Sequence, residues 1–129
     1  MEFTVETKVQ EELLDVTNLV RKAVSASKAE DGLCLVFCPH TTAAVTVNEN
    51  ADPDVRSDIL KSLRDMVKDV GFAHSEGNSP AHVKSSLLGC GQTFIVKDGK
   101  LVLGTWQGIY LAEFDGPGRR KVLVKVMGG

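Results

Sequence analysis

Asp98-Gly99, set between the apolar runs Thr93 to Lys97 and Leu101 to Leu103, leaves this chain little choice of architecture. Both central positions of a type I′ turn need positive φ, which Gly adopts freely and Asp tolerates, and the turn joins neighbouring antiparallel strands. Gly116-Pro117-Gly118, between Ile109 to Phe114 and Lys121 to Met127, predicts a second antiparallel pair. Upstream, Phe3 to Val9 alternates apolar and polar residues with the period of a half-buried strand. Val16, Leu19, Val20, Ala23 and Val24 then recur at helical spacing, with Asp15 or Thr17 placed to cap the first turn.

After the break at Asp31-Gly32, Leu33 to Phe37 and Ala44 to Asn48 read as strands. Asp52-Pro53 is an N-cap followed by an N1 proline. The helix it opens carries Val55, Ile59, Leu60, Leu63, Met66, Val67 and Val70 on one stripe and stops at Gly71. Gly71 to Pro80 is a loop by composition, long enough to carry a function. Strands and helices do not alternate as they do in βαβ folds. The expectation is therefore an α+β fold: antiparallel β-sheets with two helices, in one domain over residues 1–129.

Composition bounds what such a domain can do. A 43% hydrophobic chain of 129 residues builds one core, and a net charge of -2 with interleaved acids and bases supplies no positive face for nucleic acid or an anionic membrane. No stretch reaches the roughly 18 apolar residues of a spanning helix, and Met1 to Thr4 has no basic-then-apolar order, so a cytoplasmic protein is expected. Cys34 and Cys38 share one strand, about 13 Å apart, and are expected to be buried thiols.

The chemistry-bearing residues are the three histidines and the carboxylates near them. His40 shares strand parity with Cys34, Val36 and Cys38, and Glu49 with Val45 and Val47, so both are expected to turn inward where their strands end. His74 sits in the loop and His82 just beyond it. Three converging imidazoles would suit zinc or a similar divalent ion and leave one position open. Glu49, Asp52 or Asp54 could then orient an imidazole, ligate the ion or act as a base, although N-capping alone accounts for Asp52. Trp106 and Gln107 offer an aromatic wall for a flat ligand, and Arg119 and Arg120 a clamp for phosphate. P-loop, serine-hydrolase and C-x-x-C motifs are missing.

Three blocks together carry a resemblance. His40-Thr41-Thr42-Ala43-Ala44 with Asn48-Glu49-Asn50-Ala51-Asp52-Pro53-Asp54-Val55, then Pro80-Ala81-His82 with Ser86-Leu87-Leu88-Gly89, then Leu103 to Leu111, resemble the signature of the YjbQ-like family over nearly the whole chain. One departure is Phe72, where the family often has a Tyr two residues before the loop histidine. The resemblance implies a homotrimeric α+β protein with a site at the histidines. It carries the family's histidines onto His40, His74 and His82 and its acidic block onto Glu49 and Asp52. It also implies thiamine phosphate synthase activity, joining a pyrimidine diphosphate to a thiazole phosphate, beside a main role that it leaves open. Two hypotheses follow: a metal-dependent enzyme on a phosphorylated or heteroaromatic small molecule, and a non-catalytic trimeric binding protein.

Overall fold

The structure is a computed structural model that describes residues 1–128. The elements run β1 (Glu2–Thr7), β2 (Glu12–Asp15), α1 (Thr17–Ser27), β3 (Asp31–Phe37), β4 (Ala43–Glu49), α2 (Pro53–Met66), α3 (Ser79–Leu88), β5 (Gly91–Lys97), β6 (Lys100–Leu101), β7 (Gln107–Glu113) and β8 (Gly118–Gly128). Among these residues they form a five-stranded sheet, ordered β1-β8-β3-β5-β6, and a three-stranded sheet, ordered β2-β7-β4. Every pairing between neighbouring strands is antiparallel.

The strand periodicity explains how these layers meet. Cys34 and Val36 of β3, Phe94 and Val96 of β5, and Val122 and Val124 of β8 all turn inward and meet Val45, Ile109 and Leu111 of the smaller sheet. Val20 and Val24 of α1 complete this first core. On the other face of the smaller sheet, Leu13, Ala44, Tyr110 and Ala112 pack beneath Leu63 of α2 and Ala81 of α3. β7 is thus covered on both faces, which is why Ile109 to Phe114 reads as an unbroken apolar run relieved only by Glu113.

The β5–β6 turn forms as expected, with Asp98 at φ 53° and Gly99 at φ 76°, and Val96 opposite Leu101. Asp52 caps α2 by accepting from the Asp54 amide at 2.9 Å, with Pro53 leading the helix. Cys34 and Cys38 are buried free thiols.

Four expectations are corrected. The helices number three among the described residues, not two: α3 occupies the segment after the loop. Its buried positions are Ala81, Lys84 and Ser85, so it has no aliphatic stripe to announce it. β2 lies where no strand was expected, zipped to β7 through Leu13↔Ala112 and Leu14↔Leu111. The strands on either side of Gly116-Pro117-Gly118 do not pair with each other, because β7 already has β2 and β4 as neighbours while β8 has β1 and β3. That turn carries the chain from one sheet to the other. Finally, α2 stops at Met66 rather than Val70, and both of those side chains are exposed.

Candidate functional site

His40 is half-buried just past β3, between that strand and β4. Its Nε2 accepts the Lys121 amide at 2.8 Å. An acceptor nitrogen is unprotonated, so the proton of the neutral ring is assigned to Nδ1. Burial holds the His40 pKa below the ordinary imidazole value, helped by the Arg120 guanidinium and the Lys121 ammonium against the opposing pull of Glu113.

His74 and His82 come together. Their ring centroids are 5.7 Å apart in an edge-to-face contact with an interplanar angle of 88°. His74 is exposed in the loop, with its Nε2 3.8 Å from Glu76 Oε1. His82 sits on α3, a helix pinned at both ends to the smaller sheet. Ser85 donates to the Ala43 carbonyl at the start of β4, and Asn78 donates to Asp115 just past the end of β7. All three histidines therefore belong to one end of that sheet. Among the described residues, however, no group of three His, Cys, Asp or Glu side chains is close enough to hold a metal ion.

The rest of this end is organised by Glu113, a fully buried carboxylate that the sequence reading passed over. Its Oε2 accepts from the Thr7 hydroxyl at 2.7 Å, and its Oε1 from the Asp115 amide at 3.1 Å. Arg120 Nε approaches Oε2 to 2.7 Å but is not aligned for a hydrogen bond, so charge proximity holds that contact. Arg120 also donates to the carbonyls of Asp115 and Arg119. Its charge is largely committed within the protein. Arg119, by contrast, is exposed, with Glu6 at 3.3 Å as its one partner among the described residues. The signal for Glu113 was a lone acid within an apolar run, a position where desolvation demands partners.

Beside α3 lies a polar cleft of about 280 Å³, walled by Glu11, Lys84, Asn78, Phe114 and Asp115. Lys84 is buried there against Glu11 at 2.6 Å, its ammonium 5.8 Å from the Phe114 ring. Asn78 Oδ1 is buried without a partner among the described residues. A larger groove, about 710 Å³, runs between the end of α1 and β8, lined by Ala23, Ala26, Leu35, Phe37 and Leu123. It holds no histidine, and its lining offers little chemistry.

The acidic and aromatic candidates lie elsewhere. Glu49 ends β4 opposite Gln107 at the start of β7, so the length of the strand, about 20 Å, separates it from the histidine end. Asp52 is exposed and engaged in capping. Trp106 is exposed and lies next to Gln107, whose Oε1 accepts from Gly104 at 2.8 Å and closes its own loop. Asn50 binds Trp106 through the backbone and Asp15 through its side chain, lying so close over Gly108 that a Cβ there would fall 2.5 Å from Asn50 Nδ2. Arg56 reaches over the Tyr110 ring at 5.5 Å, and its buried Nε finds no partner. Within one chain the candidates thus form two groups, at opposite ends of one sheet.

The whole chain, residues 1–129, matches the family profile described as UPF0047 protein YjbQ-like. It is 54% identical over 127 residues to the UPF0047 protein MJ1081 of Methanocaldococcus jannaschii, covering 98% of this chain and 92% of that one. Among solved structures, a YjbQ/UPF0047 protein of Clostridium acetobutylicum superposes with a TM-score of 0.96 at 55% identity, covering 98% of this chain and 99% of that one. A YbjQ-like protein of Sulfolobus solfataricus superposes with a TM-score of 0.96 at 36% identity, covering 100% and 96%. Sequence and architecture agree throughout, and the chain belongs to the YjbQ/UPF0047 family, with that family's α+β fold of helices on antiparallel sheets.

Proposed function

We propose that this chain is a cytoplasmic, metal-dependent enzyme acting on a phosphorylated or heteroaromatic small molecule, with a divalent ion, zinc by the nature of the donors, held at the histidine end. The contact between His74 and His82 carries the reading. Two imidazoles on one tetrahedral ion, each nitrogen about 2.1 Å from it, place their ring centroids roughly 5 Å apart. The observed 5.7 Å lies near that spacing, which supports reading the pair as the first two ligands. His40 is the third imidazole of the set, and serves as a ligand only if its Nε2 releases the Lys121 amide.

A divalent ion here supplies positive charge for a substrate oxygen. The chain's own groups add exposed Arg119 for an anionic group and the polar cleft beside α3 for the body of a small ligand. Glu49 and Asp52 stand about a strand's length away, so they reach the same substrate only from a neighbouring copy. We accordingly propose a homotrimer in which the acidic and aromatic end of one subunit faces the histidine end of the next. The outer face of the five-stranded sheet supports association, since Leu33, Leu35, Phe37, Ile95 and Met127 are all exposed on it.

The reaction proposed is the thiamine phosphate synthase step, the joining of a pyrimidine diphosphate to a thiazole phosphate with release of pyrophosphate. Purified protein incubated with both substrates, with and without added zinc and chelator, tests it. Turnover that chelation removes and that falls at least tenfold in His82→Ala supports the reading. Turnover indifferent to chelator contradicts it, and saturable binding without turnover turns it into a binding protein.

A further inference from the structure

Cys38 and Cys90 stand opposite one another where β3 and β5 meet below the histidine end. The β3–β5 register runs from Asp31↔Lys97 to Phe37↔Gly91, and one step further pairs Cys38 with Cys90. The Cys38 amide donates to the Cys90 carbonyl at 2.8 Å, so the ladder does take that step. Side-chain parity agrees. Cys34 and Val36 are buried on the inner face of β3, Cys38 is buried one residue past its end, and Phe94 and Val96 are buried on the inner face of β5. Gln92 reaches from that face to the Val45 carbonyl of the other sheet. Cys90 shares their parity but lies just before β5, at the rim of the sheet, where it is exposed.

We propose that Cys38 and Cys90 are a redox modification site, oxidised by a hydroperoxide to an intrachain cross-strand disulfide. Directly opposed residues of a hydrogen-bonded antiparallel pair have Cα atoms about 5.5 Å apart. That falls inside the span of roughly 4.4–6.8 Å that a disulfide bridges. The accessible thiolate of Cys90 attacks a peroxide oxygen, the O–O bond breaks, and a sulfenic acid forms as hydroxide or alkoxide leaves. The Cys38 sulfur then attacks the sulfenic sulfur, the S–O bond breaks, and water departs with the Cys38 proton. Two thiols are oxidised and the peroxide bond is reduced. The Cβ atoms must draw together, because the hydrogen-bonded register holds them wider than a relaxed bridge. A bond of that kind is readily reduced again. Cys34, buried on the same strand with no cysteine opposite it, has no part.

Stoichiometric hydrogen peroxide added to the full-length protein, followed by thiol titration in denaturant and a non-reducing peptide map, tests the proposal. The titre should fall from three thiols to one, with Cys38 and Cys90 in one linked peptide pair and full recovery on reduction. Cys34→Ala should lose both of its remaining thiols. Cys90→Ala, altered at an exposed position, should keep both. Persistence of three thiols in the wild type overturns the proposal. So does a Cys90 that cross-links only between chains, or overoxidises while Cys38 stays free.

Discussion

Glu113 has no exposed surface and is held by Thr7, the Asp115 amide and Arg120. Removing one partner of such a pair leaves the other charge uncompensated. Glu113→Ala should therefore cost roughly 3–5 kcal/mol in chemical denaturation, whereas Glu6→Ala, which frees only exposed Arg119, should cost less than about 1 kcal/mol. Asp15 gives a pH signature. Burial raises its pKa, but the Thr17 hydroxyl and amide, the Asn50 amide and the Arg56 charge together hold it below the ordinary carboxylate value. A depressed folded pKa contributes stability above the unfolded value and loses it as pH falls through the folded one. Denaturation midpoints of Asp15→Asn should thus lie below wild type at neutral pH, with the gap closing in acid. A gap independent of pH would assign Asp15 a packing role alone. At this scale the burial of Cys34 and Val36 was legible, because strand alternation decides it locally. Glu113 was not, since its partners come from β1, the loop after β7 and β8.

Among elements, α2 could be read from its ends and its stripe, while α3 could not. Asp52 and Pro53 mark the start of α2 chemically, and Asp52→Ala should cost about 1 kcal/mol of stability. The segment Ser79–Leu88 buries Ala81, Ser85 and a lysine, and Ser85 is held by a hydrogen bond to Ala43 rather than by apolar area. Only tertiary contact distinguishes that face, so periodicity had nothing to detect. The same holds for the turn at Gly116-Pro117-Gly118. Its residues encode a reversal, but which sheet each flanking strand joins is decided by β2, β4, β1 and β3. Gly108→Ala offers a check on how the two loops at the Glu49 end are locked. The new Cβ would sit 2.7 Å from Asn50 Cβ, close to the backbone, so a loss of roughly 1–3 kcal/mol is expected.

For the molecule as a whole, the two cores leave one broad surface unused: the outer face of β3, β5 and β8. Light scattering at micromolar concentration should give the mass of three chains, and Leu35→Glu with Phe37→Glu should shift it toward one. A wild-type monomer would remove the proposed meeting of the two sheet ends. Binding of a divalent ion by the His74–His82 pair is read out by elemental analysis of protein purified without added metal. Bound zinc is expected in the wild type and its loss in His74→Ala and in His82→Ala. Metal content unchanged in both variants, or none in the wild type even after dialysis against zinc, would contradict it.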